Sequence, residues 1–193
     1  MQRLNEKNIN DPQHFNERFN GTVGLFDIKR FERLARYFEG GSYLDVGAFD
    51  SIMPMLLAER FPKSDIYVVD FADEIMKFMQ ERFDKVKFIT HDIRKGLPFE
   101  DSSLDYVVAG EVIEHMENPK DFVNELLRVC KVGGIVAIST PHKEIERDDK
   151  IGGEFHLWSY DEEDLRDLLG RPADVELLME GRYNTMLAWK RKE

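Results

Sequence analysis

The chain has 193 residues, of which 42% are hydrophobic and 34% charged, and its formal net charge at pH 7 is −11. This length suits a single domain with a sizeable core, and no apolar run approaches the roughly 20 residues that a membrane-spanning helix needs. The acidity argues against a general nucleic-acid binder, because phosphate contacts need clustered lysine and arginine side chains.

The N-terminal part of the chain, residues 1–40, is predicted to be a helical cap segment in front of a main domain of residues 41–193. Its clearest periodicity lies near its end, where four apolar side chains between Phe31 and Phe38 have helical spacing. The glycine pair at 40 and 41 is expected to end this helix.

Buried strands alternate with amphipathic helices through the main domain. Five short apolar runs predict strands, at residues 43–46, 66–70, 86–90, 104–109 and 135–139. Two further strands, 175–179 and 185–189, are joined by a turn at Gly181 without a helix between them, so we expect them to pair antiparallel at one edge. Strands that alternate with helices require a mostly parallel sheet covered on both faces, which is the doubly wound α/β architecture.

The helix ends are predicted from local sequence. Asp50 or Ser51 is expected to cap the helix after the first strand, and the apolar helix face that includes Cys130 is expected to stop at glycines 133 and 134. Ser159 with Glu162 is typical of a capping box for a last helix. Cys130 is predicted to be a small core residue. As the single cysteine it excludes an internal disulfide, and with no apolar signal region near the N-terminus we expect a cytoplasmic location.

The turn after the first strand is the predicted ligand site. Gly47 breaks the strand, and in doubly wound folds such a strand–glycine–helix unit presents free N–H groups to a nucleotide. Asp70 ends the second strand, where a carboxylate accepts ribose hydroxyls or caps the next helix. After the third strand, Asp92 or its neighbouring amide meets an adenine edge, or Asp92 is a solvated loop residue. The P-loop and the G-x-G-x-x-G fingerprint are both absent, so the expected ligand has a ribose and an adenine but no phosphates.

Four segments, in the order and spacing found here, resemble the class I S-adenosylmethionine-dependent methyltransferases, in the type 11-like group that acts on small molecules. They are YLDVGAFDS at the first strand, VVDF at the second, HDIRKGLPFEDSSLDYVVAGEVIEHMENP around the third and fourth, and LLRVCKVGGIVAISTP at the fifth. The resemblance implies a Rossmann-like seven-stranded sheet whose last strand is antiparallel. It also implies an enzyme that uses S-adenosylmethionine, releases S-adenosylhomocysteine and methylates an O or N nucleophile of a small-molecule substrate.

The resemblance also implies which residues bind the cofactor. Asp45 and Gly47 would lie near the methionine part, Asp70 on the ribose, and Asp92 with Ile93 at the adenine. The further cofactor-binding candidates are Ala48, Phe49, Phe71 and Glu111. The family usually has Asp-x-Gly-x-Gly-x-Gly, whereas Phe49 and Ser51 stand in place of its second and third glycines. The Phe49 ring either crowds the methionine or forms a wall of the substrate pocket.

The fourth strand is followed by a short string of acidic and imidazole side chains. On one helical turn, Glu111, Glu114 and His115 would share a face, and this set suits a divalent cation. Similar strings occur with a metal in ubiquinone-biosynthesis O-methyltransferases and in RNA 3′-terminal 2′-O-methyltransferases. The RNA enzymes add a later histidine, for which His156 is the candidate. Relatives without a metal carry Glu-His as well, so a metal at these four residues is possible but not favoured.

Three histidines, His115, His142 and His156, are the candidate general bases, because an imidazole pKa lies near neutrality. The acidic loop of residues 141–158 is expected to be either a lid or an exposed connection. Two alternatives to small-molecule methylation stay open. One is metal-assisted 2′-O-methylation of an RNA 3′ end, which the acidity disfavours, and the other is a non-catalytic binding subunit. The chain is expected to act as a monomer or homodimer, with nucleic-acid and membrane partners not favoured.

Overall fold

The computed structural model describes residues 2–3, 25–48, 52–143, 156–180 and 183–193. Among them, seven strands form one sheet: β1 (Ser42–Val46), β2 (Asp65–Asp70), β3 (Val86–Thr90), β4 (Leu104–Gly110), β5 (Cys130–Pro141), β6 (Asp174–Glu180) and β7 (Tyr183–Arg191). Five helices accompany them: α1 (Leu25–Leu34), α2 (Met53–Arg60), α3 (Asp73–Gln80), α4 (Pro119–Val129) and α5 (Glu162–Leu169). The 3₁₀ turns Ile93–Lys95 and Ile113–His115 follow β3 and β4, and the short segments Gln2–Arg3 and Trp158–Ser159 pair antiparallel outside the sheet.

The strand order is β3-β2-β1-β4-β5-β7-β6. The strands from β1 to β5 pair in parallel, whereas β7 runs antiparallel to both β5 and β6. The predicted doubly wound sheet with an antiparallel last strand is therefore confirmed. The order reverses between β1 and β4, and doubly wound sheets bind their ligands beyond the carboxyl ends of the strands at such a reversal.

Side chains of each strand alternate between two apolar layers. On β5, Ile138 packs with α4 and α5, in what we name the α4 layer, whereas Ala137 packs with α1, α2 and α3, in the α1 layer. Neighbouring residues at the carboxyl end of a strand therefore reach opposite sides of the sheet.

Helix α1 is tied to the sheet through its last carbonyl. The Leu34 oxygen accepts hydrogen bonds from Tyr106 Oη at 2.6 Å and from Trp189 Nε1 at 3.3 Å. Carbonyls at a helix C-terminus need partners outside the helix, and these two buried rings supply them. The helix therefore ends at Leu34, before the glycine pair where we predicted its end. Phe38 lies beyond the helix but stays buried against Tyr43.

The predicted end of α4 is wrong. Cys130 has extended backbone angles (φ −70°, ψ 136°) and begins β5, so glycines 133 and 134 lie inside a strand. A Cβ on Gly134 would lie 2.7 Å from the Asp105 carbonyl oxygen, which explains a glycine at this close approach of two strands. Cys130 is fully buried, as predicted for a core residue, and burial raises the pKa of its thiol to about 11.

The two predicted helix caps are also wrong. The N-cap of α2 is Ile52, without a side-chain hydrogen bond, and the following Pro54 reduces the number of N–H groups that need a cap. The capping box of α5 uses Asp161 and Asp164, because the Asp161 carboxylate reaches the Asp164 N–H at 3.0 Å. Ser159, the predicted cap, instead pairs with Gln2 in the short antiparallel pair. None of the helices within the described ranges is long and apolar enough to cross a membrane.

Candidate functional site

The turn after β1 lies at the reversal of strand order and is built around Gly47. Gly47 has a φ of +72°, and its N–H donates to the Val69 carbonyl at 2.8 Å. A Cβ at this position would lie 2.7 Å from Val112 Cγ2, so the backbone angle and the close approach both require glycine. Ala48, the next residue, packs against the α1 layer. The turn thus joins β1 to the end of β2 and to the residues after β4.

Asp45 is buried within β1, two residues before this turn. It lies on the same face of the strand as Tyr43, and the two side chains form a hydrogen bond. Burial, and then the Asp45 carboxylate, hold the pKa of the Tyr43 phenol well above its usual value. Asp45 therefore has a partner inside the fold that the sequence did not indicate. Its predicted role near the methionine stays a prediction.

Asp70 is the last residue of β2 and is buried. Its Oδ1 accepts a hydrogen bond from the Ala72 N–H at 2.9 Å, which turns the chain past the half-buried Phe71 into α3. This bond goes to the N–H of the N-cap residue and not to the first helical turn, so Asp70 shapes the turn before α3, and the alternative role of a helix cap is wrong. The carboxylate also lies at the carboxyl edge of the sheet, where we predicted a ribose contact. The two roles are compatible, because a carboxylate has about four acceptor positions on two oxygens.

Asp92 is engaged by a nearby guanidinium. Its Oδ1 accepts from Arg94 Nε at 2.7 Å and its Oδ2 from Arg94 Nη2 at 2.8 Å. These hydrogen bonds lower the pKa of Asp92, and Oδ1 also accepts from the Arg94 N–H at the start of the 3₁₀ turn. The adenine contact through the Asp92 carboxylate or the neighbouring amide stays a prediction.

Several predictions fall outside the described residues. Phe49 and Ser51 are among them, so the effect of Phe49 on the cofactor pocket stays a prediction, as does the turn at Gly181. Of the loop that we predicted over residues 141–158, the structure describes residues 141–143 and 156–158.

Glu111 leaves β4 with a φ of +56°, an uncommon backbone angle for a residue other than glycine. Its N–H donates to the Ser139 carbonyl at 3.0 Å, and its Oε1 accepts from Ser139 Oγ at 2.9 Å. The same Oε1 lies 3.2 Å from Nη1 of the buried Arg30 on α1. The following 3₁₀ turn begins only at Ile113. Glu111 and Glu114 therefore do not share a helical turn, and that prediction is wrong.

Glu114 lies on the other side of the sheet and is only 1% exposed. Its Oε2 accepts a hydrogen bond from Thr140 Oγ1 at 3.0 Å. Because Ser139 and Thr140 are neighbours on β5, their hydroxyls hold Glu111 toward the α1 layer and Glu114 toward the α4 layer. Glu114 Oε1 has no hydrogen-bond partner among the described residues. Burial, and then the charge of Glu111, raise the pKa of Glu114 to about 8.

The segment of residues 156–160 is bound to the 3₁₀ turn after β4, although the two lie about forty residues apart in the chain. Three backbone carbonyls of the turn region accept hydrogen bonds from this segment. The bonds are Leu157 N to Glu114 O at 2.8 Å, Trp158 Nε1 to Met116 O at 2.7 Å and Tyr160 Oη to Ile113 O at 3.2 Å. This attachment places His156 beside His115.

Glu114, His115 and His156 form a compact group. The two imidazole rings meet edge to face with their centroids 4.9 Å apart, and His115 Nε2 lies 3.9 Å from Glu114 Oε1. One ligand atom from each residue lies within 4.8 Å of the others. Glu111, our fourth metal candidate, is not part of this group. His142, our third candidate base, lies apart from it at the end of β5, where its backbone bridges to that of Tyr160.

A cavity of about 280 Å³ opens beside His115. Its walls come from the 3₁₀ turn after β3, the turn after β4 and the first half of α4. The lining residues include Ile93, Arg94, Met116, Asp121 and Phe122. The cavity therefore connects the predicted adenine edge at Ile93 with the imidazole of His115.

The sequence did not indicate the groups that hold the two glutamates. Arg30 lies on α1, and its ion pair with Glu111 joins residues that are far apart in the chain. The hydroxyls of Ser139 and Thr140 had one available signal, since two polar residues close an otherwise apolar strand at its carboxyl end.

Comparison with known proteins agrees with this architecture. A family model described as "Methyltransferase domain" matches residues 44–138. The chain is 31% identical over 117 residues to a protein of Mycolicibacterium smegmatis named as a probable S-adenosylmethionine-dependent methyltransferase, covering 58% of this chain and 43% of that protein. It spans about half the length of the curated relatives that it matches.

Two solved structures share the fold. A SAM-dependent methyltransferase from Aquifex aeolicus superposes with a TM-score of 0.68 at 21% identity, covering 93% of this chain and 97% of that chain. The phosphoethanolamine N-methyltransferase 2 of Haemonchus contortus, in complex with S-adenosyl-L-methionine, gives a TM-score of 0.70 at 14% identity, covering 94% and 57%. These two structures show the shared fold, and the family model identifies residues 44–138 as a methyltransferase domain of the kind found in the class I S-adenosylmethionine-dependent methyltransferases.

Proposed function

We propose that the chain transfers the methyl group of S-adenosylmethionine to an oxygen or nitrogen nucleophile of a small molecule. The observation that carries this proposal is the meeting of three features at the reversal of strand order. These are the Gly47 turn, the buried Asp70 carboxylate at the end of β2, and the pair formed by His115 after β4 and His156 on the segment bound to it. The match of residues 44–138 to the methyltransferase family supports the methyl donor, and the acceptor is our inference.

The cofactor is expected to lie across the carboxyl ends of β1, β2 and β3. Asp70 accepts the ribose hydroxyls with the acceptor positions that Ala72 does not use. The Ile93 amide meets the adenine, because Arg94 engages the carboxylate of Asp92. The methionine part lies against the Gly47 turn, whose approach to Val112 leaves no space for a side chain.

The reaction needs alignment more than activation, because the sulfonium is already a good leaving group. The acceptor lone pair forms a bond to the methyl carbon as the carbon–sulfur bond breaks, and the electron pair of that bond stays on sulfur as S-adenosylhomocysteine. Holding the two reactants in line is the main contribution that a protein makes to such a transfer. Without a cation, the proton of the acceptor goes to the imidazole of His115 or His156. If both imidazoles held a cation, they would not be free to act as bases, and the proton would pass to solvent.

The acceptor class follows from charge and chemistry. The net charge of −11 disfavours a nucleic-acid substrate, whose backbone is also negative. The ordinary pKa of an imidazole lies near neutrality, which suits the removal of a proton from a hydroxyl or an ammonium group. A small molecule with such a group satisfies both conditions. We also propose a cytoplasmic location, and a monomeric or homodimeric state that light scattering after size exclusion would measure.

Two measurements test the proposed function. Calorimetric titration with S-adenosylhomocysteine should show one binding site per chain. Formation of S-adenosylhomocysteine from S-adenosylmethionine should then depend on an acceptor, in a panel of small phenols, hydroxy acids and amines with an RNA oligonucleotide as a separate arm. Binding without turnover on any acceptor would support a non-catalytic subunit, and turnover on RNA alone would overturn the small-molecule assignment. Absence of binding would refute the cofactor site.

A further inference from the structure

We propose that Glu114, His115 and His156 bind one divalent transition-metal cation. Their ligand atoms lie within 4.8 Å of one another, on two segments that three hydrogen bonds hold together. The proposal concerns cation binding by the protein alone, so it stands or fails separately from methyl transfer.

The buried carboxylate is the first argument. Glu114 is 1% exposed, and its Oε1 has no hydrogen-bond partner in the part of the chain that the structure describes. Buried polar atoms in native proteins almost always have a partner, so such an atom calls for an explanation. Thr140 holds the other oxygen, which leaves Oε1 directed toward the imidazoles, 3.9 Å from His115 Nε2. A cation between these groups would give Oε1 its partner.

The ligand types decide the class of cation. One carboxylate with two imidazoles is a ligand set of zinc enzymes and of non-haem iron sites, which keep further positions for water or substrate. Calcium and magnesium prefer ligand sets made of oxygen alone. We therefore expect Zn²⁺, Mn²⁺ or Co²⁺ to bind more tightly than Mg²⁺. His115 and His156 are both partly exposed. A cation bound between them and Glu114 would therefore have coordination positions that solvent can reach.

Only small movements are needed to close the site. Ligand bonds of about 2.0–2.2 Å place the donor atoms of a tetrahedral cation roughly 3.3 Å apart. The observed separations, up to 4.8 Å, must therefore shorten by up to about 1.5 Å. Glu114 is fixed by burial and by Thr140, whereas the two partly exposed imidazoles can turn about their side-chain bonds. The rigid member of the set is thus the carboxylate, and the two histidines adjust to it.

The test uses the full chain without an affinity tag, stripped with chelator and returned to chelator-free buffer. Titration with Co²⁺, followed by visible absorption, should give one equivalent per chain, and Zn²⁺ should displace it. The Glu114→Gln and His156→Ala variants should each weaken Co²⁺ binding by at least about tenfold. The control is His91→Ala, which removes an imidazole that contacts the Gly96 carbonyl outside the group, and it should bind as the wild type does.

Two results would overturn the proposal. One is a wild type without saturable Co²⁺ binding, and the other is a pair of ligand variants that bind like the wild type. Thermal unfolding of each variant checks that it is folded, and if Glu114→Gln does not fold, the partly exposed His156 still provides the test. Titration with S-adenosylhomocysteine on the same samples reports the cofactor site. Its failure in the wild type would count against the proposed function and leave the cation result intact.

Discussion

Replacing Gly47 with alanine tests the structural basis of the cofactor turn. Two separate features oppose a side chain at this position. The backbone has a φ of +72°, and a new Cβ would lie 2.7 Å from Val112 Cγ2, about 1 Å closer than carbon atoms approach without repulsion. Alanine must therefore accept a left-handed conformation and push the residues after β4 away from the end of β1.

The size of the effect follows from these two features. A left-handed conformation costs a residue with a Cβ about 1–2 kcal/mol, and forcing atoms into a packed site costs about 1–3 kcal/mol. Alanine also restricts the unfolded chain, which offsets about 0.4–1 kcal/mol. The free energy of unfolding should thus fall by about 1–4.6 kcal/mol, which corresponds to roughly 2–18 °C in melting temperature for a domain of this size.

A matched control separates the two contributions. Gly133 has a φ of +80°, and a Cβ there would meet no atom within 4 Å, so Gly133→Ala reports the cost of a positive φ without a steric contact. Thermal unfolding of both variants is compared with the affinity for S-adenosylhomocysteine by calorimetry. Gly47→Ala should lose more stability than Gly133→Ala and at least about tenfold in affinity, whereas Gly133→Ala should bind normally.

Two outcomes would refute this reasoning. Equal losses of stability in the two alanine variants would show that the Val112 contact costs nothing. An unchanged affinity of Gly47→Ala for S-adenosylhomocysteine would show that the turn does not hold the cofactor. A double-mutant cycle adds a further check, because Gly47→Ala should cost less stability on a Val112→Ala background, where the valine methyl groups near the new Cβ are absent.

Three other predictions concern single carboxylates and the thiol. Asp70→Asn keeps an acceptor for the Ala72 N–H but removes the charge, so calorimetry should show at least about tenfold weaker S-adenosylhomocysteine binding at an unchanged melting temperature. Asp161→Asn keeps a capping side chain but loses the ion pair with Lys143. Because the pKa of Asp161 is lowered from 3.8 to about 2 by the Lys143 hydrogen bond, its stabilisation is complete above pH 3.8 and disappears as the pH falls to about 2. Urea unfolding should show a difference below about 1 kcal/mol that vanishes in acid, and a difference that grew in acid would contradict the assignment. Thiol reagents at pH 8 should label Cys130 only after unfolding, because burial raises its pKa to about 11, and fast labelling of the folded protein would contradict this.

The strands of this fold could be predicted from sequence because their signal is local and strong. A parallel strand covered on both faces reads as a short continuous apolar run, as β4 does. The edge strand Val86–Thr90 was also predicted with its bounds, although only its first residue is buried. Helix ends were harder, since a cap depends on which nearby side chain reaches a free N–H. The extended conformation at Cys130, which ends α4, arises from pairing with β4 and not from the glycines that follow.

The candidate site was predicted in part for a topological reason. The carboxyl ends of parallel strands converge on one edge of the sheet, so residues that follow each strand lie near one another whatever the intervening chain does. This places Gly47 and Asp70 on that edge. The partners of those residues were not predictable in the same way. Arg30 reaches Glu111 from α1, and Thr140 reaches Glu114 from β5, through contacts that no local pattern encodes.

The string Glu111 to His115 shows why spacing alone misled us about the acidic pair. Helical spacing assumes a continuous helix, but the positive φ at Glu111 breaks the turn before it starts. On β5, the hydroxyls of Ser139 and Thr140 point to opposite faces of the sheet, and each holds one of the two carboxylates. Glu111 is thereby tied to Arg30 on the side of α1, whereas Glu114 joins the histidines on the side of α4. The two glutamates of this motif therefore lie on opposite sides of the sheet. The group proposed to bind a cation contains one buried carboxylate, that of Glu114, and not two.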